Sequence, residues 1–185
     1  VVWIHGGGWV EGDKSQYVAL LPQFARRKIM AASMNYRLAP DVTWANQVDD
    51  VLLALDFIRS QQVDVQRIAL WGTSAGAHLA LLVAALRPEQ IRCVVTIGAA
   101  THPVDLDPDL TREAFPNPQD PLCSPHIQCK TLPKTLMLHG ELDPVIPLSQ
   151  HTQFCKDRTL VESWILKDGD HHLHWPVVQG WRMRQ

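Results

Sequence analysis

The stretch RIALWGTSAGAHLALLVAAL, residues 67–86, decides the fold of this 185-residue chain. Residues 67–71 form a short apolar run that predicts a buried strand, and the Ala- and Leu-rich run at 77–86 predicts a helix. Between them, GTSAG at 72–76 fits the pattern G-x-S-x-G. Strand, pattern and helix in that order predict a nucleophile elbow, a strained turn that lifts the Ser74 hydroxyl clear of the backbone.

The alternative is a plain turn of small residues, and the flanking strand and helix favour the elbow over it. In an elbow, the amide of Ala75 opens the helix and points to the place where an oxyanion would form. The rest of the chain must then supply further oxyanion donors upstream, and an acid and a histidine downstream.

A run of glycines directly follows the first apolar segment, in HGGGW at residues 5–9. Three consecutive glycines cost backbone entropy, so they make sense where backbone must approach a ligand closely. A flexible turn is the alternative, but His-Gly-Gly-Gly ahead of an elbow is the oxyanion motif of lipases and esterases. We therefore expect oxyanion donors at Gly7, Gly8 and Ala75. Trp9 is the best candidate for lining the substrate pocket, with an ordinary core position as the alternative.

Candidates for the acid and the base follow the elbow in the chain. Asp143 stands just after a predicted strand, with Glu141 as the rival carboxylate. His171, His172 and His174 crowd the loop after the last predicted strand. A serine needs a base to take its proton, and the base needs an acid to hold its tautomer. The histidine-rich loop could also hold a metal, but no partner ligands stand at matching spacing, so we expect no metal and no organic cofactor.

Strands that alternate with helices predict an α/β fold with a mostly parallel sheet of about six strands, flanked by helices. The predicted strands lie at residues 1–4, 29–36, 67–71, 93–100, 135–139 and 162–166. The predicted helices lie at 15–28, 44–61, 77–86 and 149–157, with a short closing helix from Pro176. We expect one domain over 1–185, with a Pro-rich insertion at about 101–134 that serves as a lid or substrate-side element, or as a plain connection.

Composition excludes several classes of function. The formal net charge is −2, which gives no electrostatic case for nucleic acid or for an anionic membrane surface. No apolar run is long enough to span a membrane, and no signal segment opens the sequence. The cysteines lack the paired spacing of a zinc site, and free thiols are the simplest expectation. These features favour a cytoplasmic location.

Five motifs together resemble the α/β-hydrolase fold and, within it, the hormone-sensitive-lipase-like carboxylesterases. The motifs are HGGGW (5–9), NYRLAP (35–40), GTSAG (72–76), HGELDPVIP (139–147) and GDHH (169–172). The resemblance implies Ser74 as nucleophile, Asp143 as acid, and Gly7, Gly8 and Ala75 as oxyanion donors. The histidine of that family follows a Gly-x pair, which implies His171, with His172 as the second choice.

Family members usually carry two further strands and a helical cap ahead of the glycine loop, and we expect both to be absent here. The first strand would then be an exposed edge, through which the chain could self-associate. The leading hypothesis is a serine carboxylesterase for small acyl esters. An arylformamidase-type amidase is the nearest alternative, since GTSAGAHLA resembles that elbow as well. A catalytically silent hydrolase-fold binding protein is the third hypothesis.

Overall fold

The computed structural model describes residues 1–61 and 63–171, so His172, His174 and the closing helix predicted from Pro176 lie outside the described residues. Its strands are β1 (Val2–Ile4), β2 (Ala32–Met34), β3 (Ala69–Thr73), β4 (Cys93–Ile97), β5 (Lys134–Gly140) and β6 (Val161–Leu166). Its α-helices are α1 (Leu21–Ala25), α2 (Trp44–Arg59), α3 (Ala75–Leu86), α4 (Pro108–Thr111), α5 (Pro125–Gln128) and α6 (Leu148–Cys155). Short 3-10 helices lie at Lys14–Tyr17, Pro88–Gln90, Pro103–Asp105 and Pro121–Cys123.

The six strands of the described residues form one sheet in the order β2-β1-β3-β4-β5-β6, and every neighbouring pair is parallel. The predicted α/β class and the parallel sheet of about six strands are confirmed. Parallel strands end at the same edge of a sheet, so the loops after β1, β3, β4, β5 and β6 meet there. Among the described residues proposed above for chemistry, the glycine loop, Ser74, Asp143 and His171 all follow strands that end at that edge.

The first strand is not an edge, which corrects one prediction. β1 pairs with β2 on one side and with β3 on the other, so that Trp3 lies between Ser33 and Trp71. The crossover through α1 carries the chain outward and places β2 beside β1. The edges of the described sheet are therefore β2 and β6, and self-association through an exposed sheet edge stays a prediction for those strands.

The helix predicted at 15–28 is wrong in its extent. The chain forms the 3-10 helix Lys14–Tyr17 and then the short α1, which begins one residue ahead of Pro22. Proline lacks an amide hydrogen and fits the first turn of a helix better than its interior, so the segment divides there. Lys28, at φ 57°, ends the helical stretch.

The Pro-rich segment (residues 101–134) folds onto the body of the domain as a chain of short helices. Phe115, Cys123 and Cys129 are buried in the main hydrophobic core. Arg158 ties the segment to the end of α6, since its guanidinium donates to the carbonyls of His126 and Cys129 as well as to that of Phe154. The segment is thus a packed part of the fold, and its closeness to the site is described below.

Membrane-spanning helices, metal sites and disulfides can each be assessed over the described residues. Within residues 1–61 and 63–171, no helix has both the length and the apolar character needed to cross a membrane. Over the same residues, no group of three or more His, Cys, Asp or Glu side chains is arranged to hold a metal ion. The four cysteines are free thiols.

Candidate active site

The elbow takes the strained shape that its sequence predicts. β3 ends at Thr73, α3 begins at Ala75, and Ser74 between them has φ 52° and ψ −118°. Non-glycine residues rarely adopt such a positive φ, and strain of this kind persists where the surrounding structure enforces it. The two glycines permit the close packing: a Cβ on Gly72 would overlap the carbonyl of Gly76, and a Cβ on Gly76 would overlap that of Ile4.

The glycine loop after β1 lies directly against the elbow. A Cβ on Gly6 would come within 3.0 Å of the Thr73 carbonyl oxygen and 3.3 Å of the Ser74 Cβ. Gly7 and Gly8 have φ values of 127° and 57°, which favour glycine. The Gly7 carbonyl closes the loop, because it accepts hydrogen bonds from the amides of Val10 and Glu11. Backbone of two segments thus converges beside the Ser74 side chain.

Three side chains that are far apart in the sequence form one hydrogen-bonded chain. His171 Nε2 lies 3.0 Å from Ser74 Oγ, and His171 Nδ1 lies 2.7 Å from Asp143 Oδ2. Both distances are within hydrogen-bonding range for a nucleophile, a base and an orienting acid. Glu141, the rival carboxylate, instead accepts from the amide of Asp168 at 3.3 Å. The geometry therefore brings together the predicted trio Ser74, Asp143 and His171.

The Asp143 carboxylate is buried and fully engaged. Its Oδ1 accepts from the amides of Val145 and Ile146, each at 2.9 Å, while Oδ2 faces His171. Burial by itself would raise the pKa of Asp143, but the hydrogen bonds from His171 and from the two amides outweigh it and hold the pKa below its usual value. Asp143 is therefore a carboxylate at neutral pH, as an orienting acid must be.

His139 is a neighbour of the acid that the motif HGELDPVIP contained without a stated role. Its Nε2 donates to the Ile146 carbonyl at 2.9 Å and lies 3.5 Å from Asp143 Oδ2. The ring is fully buried, and burial lowers the pKa of His139, so the ring is neutral. It braces the loop whose amides hold Asp143.

Two glycines shape the surroundings of His171, and neither was singled out from the sequence. Gly98, directly after β4, has φ 58°, and a Cβ there would come within 3.1 Å of His171 Nδ1 and Cε1. Gly140, at the end of β5, lies so close to Gly169 and Asp170 that a Cβ would overlap their carbonyls. The signal available in the sequence was a glycine at or near the carboxyl end of a strand, where a side chain would crowd the site.

Trp9 does not line an open pocket, which corrects the sequence-based expectation. It is 1% exposed, and its ring packs edge-on against His78 and Phe115. Its carbonyl accepts from the Ala39 amide at 3.0 Å and from Gln47 Nε2 at 2.8 Å. Trp9 is therefore a core residue, since burial of its ring is more favourable than exposure. Its buried ring and its carbonyl hydrogen bonds anchor the end of the glycine loop.

A side chain of the Pro-rich segment borders the glycine loop instead. Leu110 Cδ1 lies 3.4 Å from the position of a Cβ on Gly8, and the Leu110 side chain is partly buried. The sequence placed a turn of helix near this residue without a role for it. Leu110 thus places part of the Pro-rich segment beside Gly8 of the glycine loop.

Comparison with known proteins identifies the family of this chain. A family model described as BD-FAE matches residues 1–103, which is more than half of the chain. The chain belongs to the BD-FAE family. The matched region contains the glycine loop and the elbow, whereas Asp143 and His171 lie beyond it.

Curated relatives of this BD-FAE member extend over more of the chain. It is 30% identical over 164 residues to arylacetamide deacetylase of Oryctolagus cuniculus, covering 80% of this chain and 40% of that protein. It is 25% identical over 197 residues to esterase LipC of Mycobacterium tuberculosis, covering 83% of this chain and 46% of that protein. The chain thus spans less than half of the length of these relatives.

Solved structures share the fold of this BD-FAE member. A hyperthermophilic esterase of Pyrobaculum calidifontis has a TM-score of 0.80 at 22% identity, over 98% of this chain and 70% of that one. An esterase/lipase from an uncultured bacterium has a TM-score of 0.79 at 22% identity, over 94% of this chain and 68% of that one. At this level of identity the likeness concerns the fold alone.

Proposed function

We propose that this protein is a serine carboxylesterase that hydrolyses small acyl esters. The observation that carries the proposal is the hydrogen-bonded chain from Ser74 through His171 to Asp143, which lies beside the backbone of the glycine loop and of the elbow. Membership in the BD-FAE family and the esterase names of relatives support the same reaction class. No metal or organic cofactor has a part in the proposed reaction.

The first half of the reaction forms an acyl-enzyme. Ser74 Oγ attacks the ester carbonyl carbon while its proton passes to His171 Nε2, and the carbonyl oxygen becomes an oxyanion. Amides of Gly7, Gly8 and Ala75 are the proposed donors to that oxyanion, and one such donor contributes about 3 kcal/mol. The bond from carbonyl carbon to alcohol oxygen then breaks, and His171 gives its proton to the departing alcohol.

The second half releases the acid. Water takes the place of the alcohol and loses a proton to His171 as it attacks the acyl carbon. A second oxyanion forms and collapses, the bond to Ser74 Oγ breaks, and His171 returns the proton to the serine. Asp143 stays ionised throughout and stabilises the transient imidazolium through the 2.7 Å hydrogen bond.

The test is hydrolysis of para-nitrophenyl acetate, butyrate and octanoate by the purified chain and by Ser74→Ala. We expect turnover by the parent chain and a loss of at least about 10⁴-fold in the variant, since removal of the nucleophile leaves only binding and oxyanion effects. Circular dichroism checks that both proteins are folded. Equal turnover by the two proteins contradicts the proposal, and a folded parent without turnover favours the silent binding protein.

Amide hydrolysis is the second candidate function. The observation in its favour is the 30% identity to a protein named arylacetamide deacetylase. The same three residues serve an amide or an ester, and the difference lies in the pocket and in protonation of a poorer leaving group. Turnover of para-nitroacetanilide and of formyl-kynurenine, relative to para-nitrophenyl acetate, separates the arylacetamide and arylformamidase alternatives from the esterase.

A further inference from the structure

A buried histidine lies on the elbow helix, one turn after the nucleophile. His78 belongs to α3, is 0% exposed, and takes no part in the chain of Ser74, His171 and Asp143. Trp9 Nε1 donates to His78 Nδ1 at 3.3 Å, and His78 Nε2 lies 2.8 Å from the Cys123 carbonyl oxygen. Both ring nitrogens of His78 therefore have partners.

The partners determine the protonation of the ring. An indole N–H can only donate, so Nδ1 of His78 carries no proton. A carbonyl oxygen can only accept, so Nε2 carries the proton and donates it to Cys123. A second proton on Nδ1 would face the Trp9 N–H directly. The geometry thus requires the neutral Nε2–H tautomer, and burial lowers the pKa of His78 to about 4, which agrees with it.

The hydrogen bonds from Trp9 to His78 and from His78 to Cys123 form one link, and both of its ends belong to segments that border Gly8. Trp9 follows Gly8 directly and is held from the other side through its own carbonyl, which accepts from Ala39 and Gln47. Cys123 belongs to the Pro-rich segment, the same segment that brings Leu110 against Gly8. His78 thus joins the glycine loop, the elbow helix and the Pro-rich segment at one buried point.

We propose that His78 is a positioning residue for the oxyanion loop, holding the Gly8 backbone through the Trp9 indole and tying it to the Pro-rich segment through Cys123. This inference rests on the proposed function, because it assigns the loop at Gly8 to oxyanion binding. The Trp9 indole hydrogen bond limits rotation of the Trp9 side chain, and Trp9 has a strained φ of 66°. Without the link, the Gly8 amide no longer points at the oxyanion.

The link has a kinetic signature that general stabilisation lacks. Oxyanion donors act in the transition state, so a badly placed donor lowers kcat and leaves KM nearly unchanged. A thionoester develops its charge on sulfur, which is larger and accepts hydrogen bonds poorly, so it gains less from the loop. A loosened loop therefore lowers the preference for an oxygen ester over its thiono analogue.

The experiment compares the parent chain with Trp9→Phe, His78→Leu and the double variant, on para-nitrophenyl acetate and its O-thiono analogue. We expect each single variant to lose about 10-fold or more in kcat on the oxygen ester, with KM within about twofold. The preference for oxygen over sulfur falls in both. The double variant loses no more than His78→Leu alone, since both changes break the same link.

Two further variants separate the ends of the link. Asn at 78 keeps an acceptor near the Nδ1 position, whereas Gln keeps a donor near the Nε2 position. We expect His78→Asn to retain more of the oxygen-to-sulfur preference than His78→Gln. Unchanged kcat and preference in folded variants, with only a lower melting temperature, would overturn the proposal.

A measurement independent of turnover keeps the inference apart from the proposed function. Nitrogen-15 NMR reads the tautomer of His78 directly, and hydrogen exchange reads protection of the Trp9 indole and of the Ala39 amide, which donates to the Trp9 carbonyl. We expect the Nε2–H tautomer, and loss of protection at both sites in His78→Gln. A protonated Nδ1, or unchanged protection at Ala39, overturns the positioning role even if the parent chain has no esterase activity.

Discussion

Gly98 shows how a single residue limits the site. It ends β4 in a left-handed conformation, with its amide donating to the Leu138 carbonyl at 3.0 Å. Glycine has no Cβ, and the His171 ring lies beside the position that this atom would take. The distance from that position to His171 Nδ1 and Cε1 is 3.1 Å. Any side chain here must displace either the ring or the end of the strand.

We expect Gly98→Ala to lower kcat by about 10- to 100-fold while the protein stays folded. A displacement of His171 by a fraction of an ångström disturbs its distances to Ser74 and Asp143, and misplacement on this scale is costly in catalysis. The left-handed φ adds about 1 kcal/mol of strain for alanine. Steady-state kinetics and thermal unfolding measure both effects. Asp157→Gly, which relieves a φ of 61° after α6, is the backbone control and should leave kcat unchanged.

At the scale of elements, the Pro-rich segment is packed against the rest of the fold and reaches the glycine loop through Leu110. Arg158 holds the carbonyls at the end of α5, and the Trp44 amide donates to the Ala114 carbonyl at 3.0 Å. With the segment held at both points, Leu110 of α4 stays close to Gly8. The size of the side chain at 110 should therefore influence which acyl groups fit.

We expect Leu110→Ala to raise the kcat/KM ratio of octanoate to acetate esters by about 3- to 10-fold. Removal of a branched side chain opens apolar space, and a methylene in such a pocket is worth about 1–3 kcal/mol. Leu122→Ala is the matched control, because Leu122 lies in the same segment but is 59% exposed. If the two variants give the same ratio, Leu110 does not border the acyl group.

At the scale of the whole molecule, buried neutral histidines make stability depend on pH. Burial lowers the pKa of both His78 and His151 to about 4, from an ordinary value of 6.5. Below pH 6.5 these two histidines bind protons in the unfolded chain but stay neutral in the native protein. The free energy of unfolding therefore falls as the pH is lowered from 6.5 to about 4. Asp143 has a lowered pKa, so its stabilising effect is lost only at more acidic pH.

We expect the free energy of unfolding to fall between pH 7 and pH 5, with His78 contributing up to about 1.4 kcal/mol per pH unit. Urea unfolding at pH 7, 6 and 5 measures this slope. His78→Asn should have a shallower slope than the parent chain, whatever its absolute stability, while His151 titrates equally in both. Parallel slopes for the two proteins would show that His78 takes up its proton in the native state as readily as in the unfolded chain.

Much of the fold could be read from local pattern. Apolar runs bounded by turn residues marked all six strands, and GTSAG between a strand and a helix marked the elbow, because a strained turn needs glycine on both sides. The ends of elements were less certain. Gly98 stops β4 early, and Pro22 divides the first helical stretch, where backbone preference overrides apolar character.

The sequence by itself determined the class of fold and the candidates for nucleophile, acid and base, because each of these is marked by a short motif of neighbouring residues. Only the tertiary structure decided that Asp143 rather than Glu141 faces His171, and that Trp9 is buried. It also revealed His78, whose partners lie 69 and 45 residues away. Such contacts arise when parallel strands bring distant loops to one edge, and no local pattern encodes that distance.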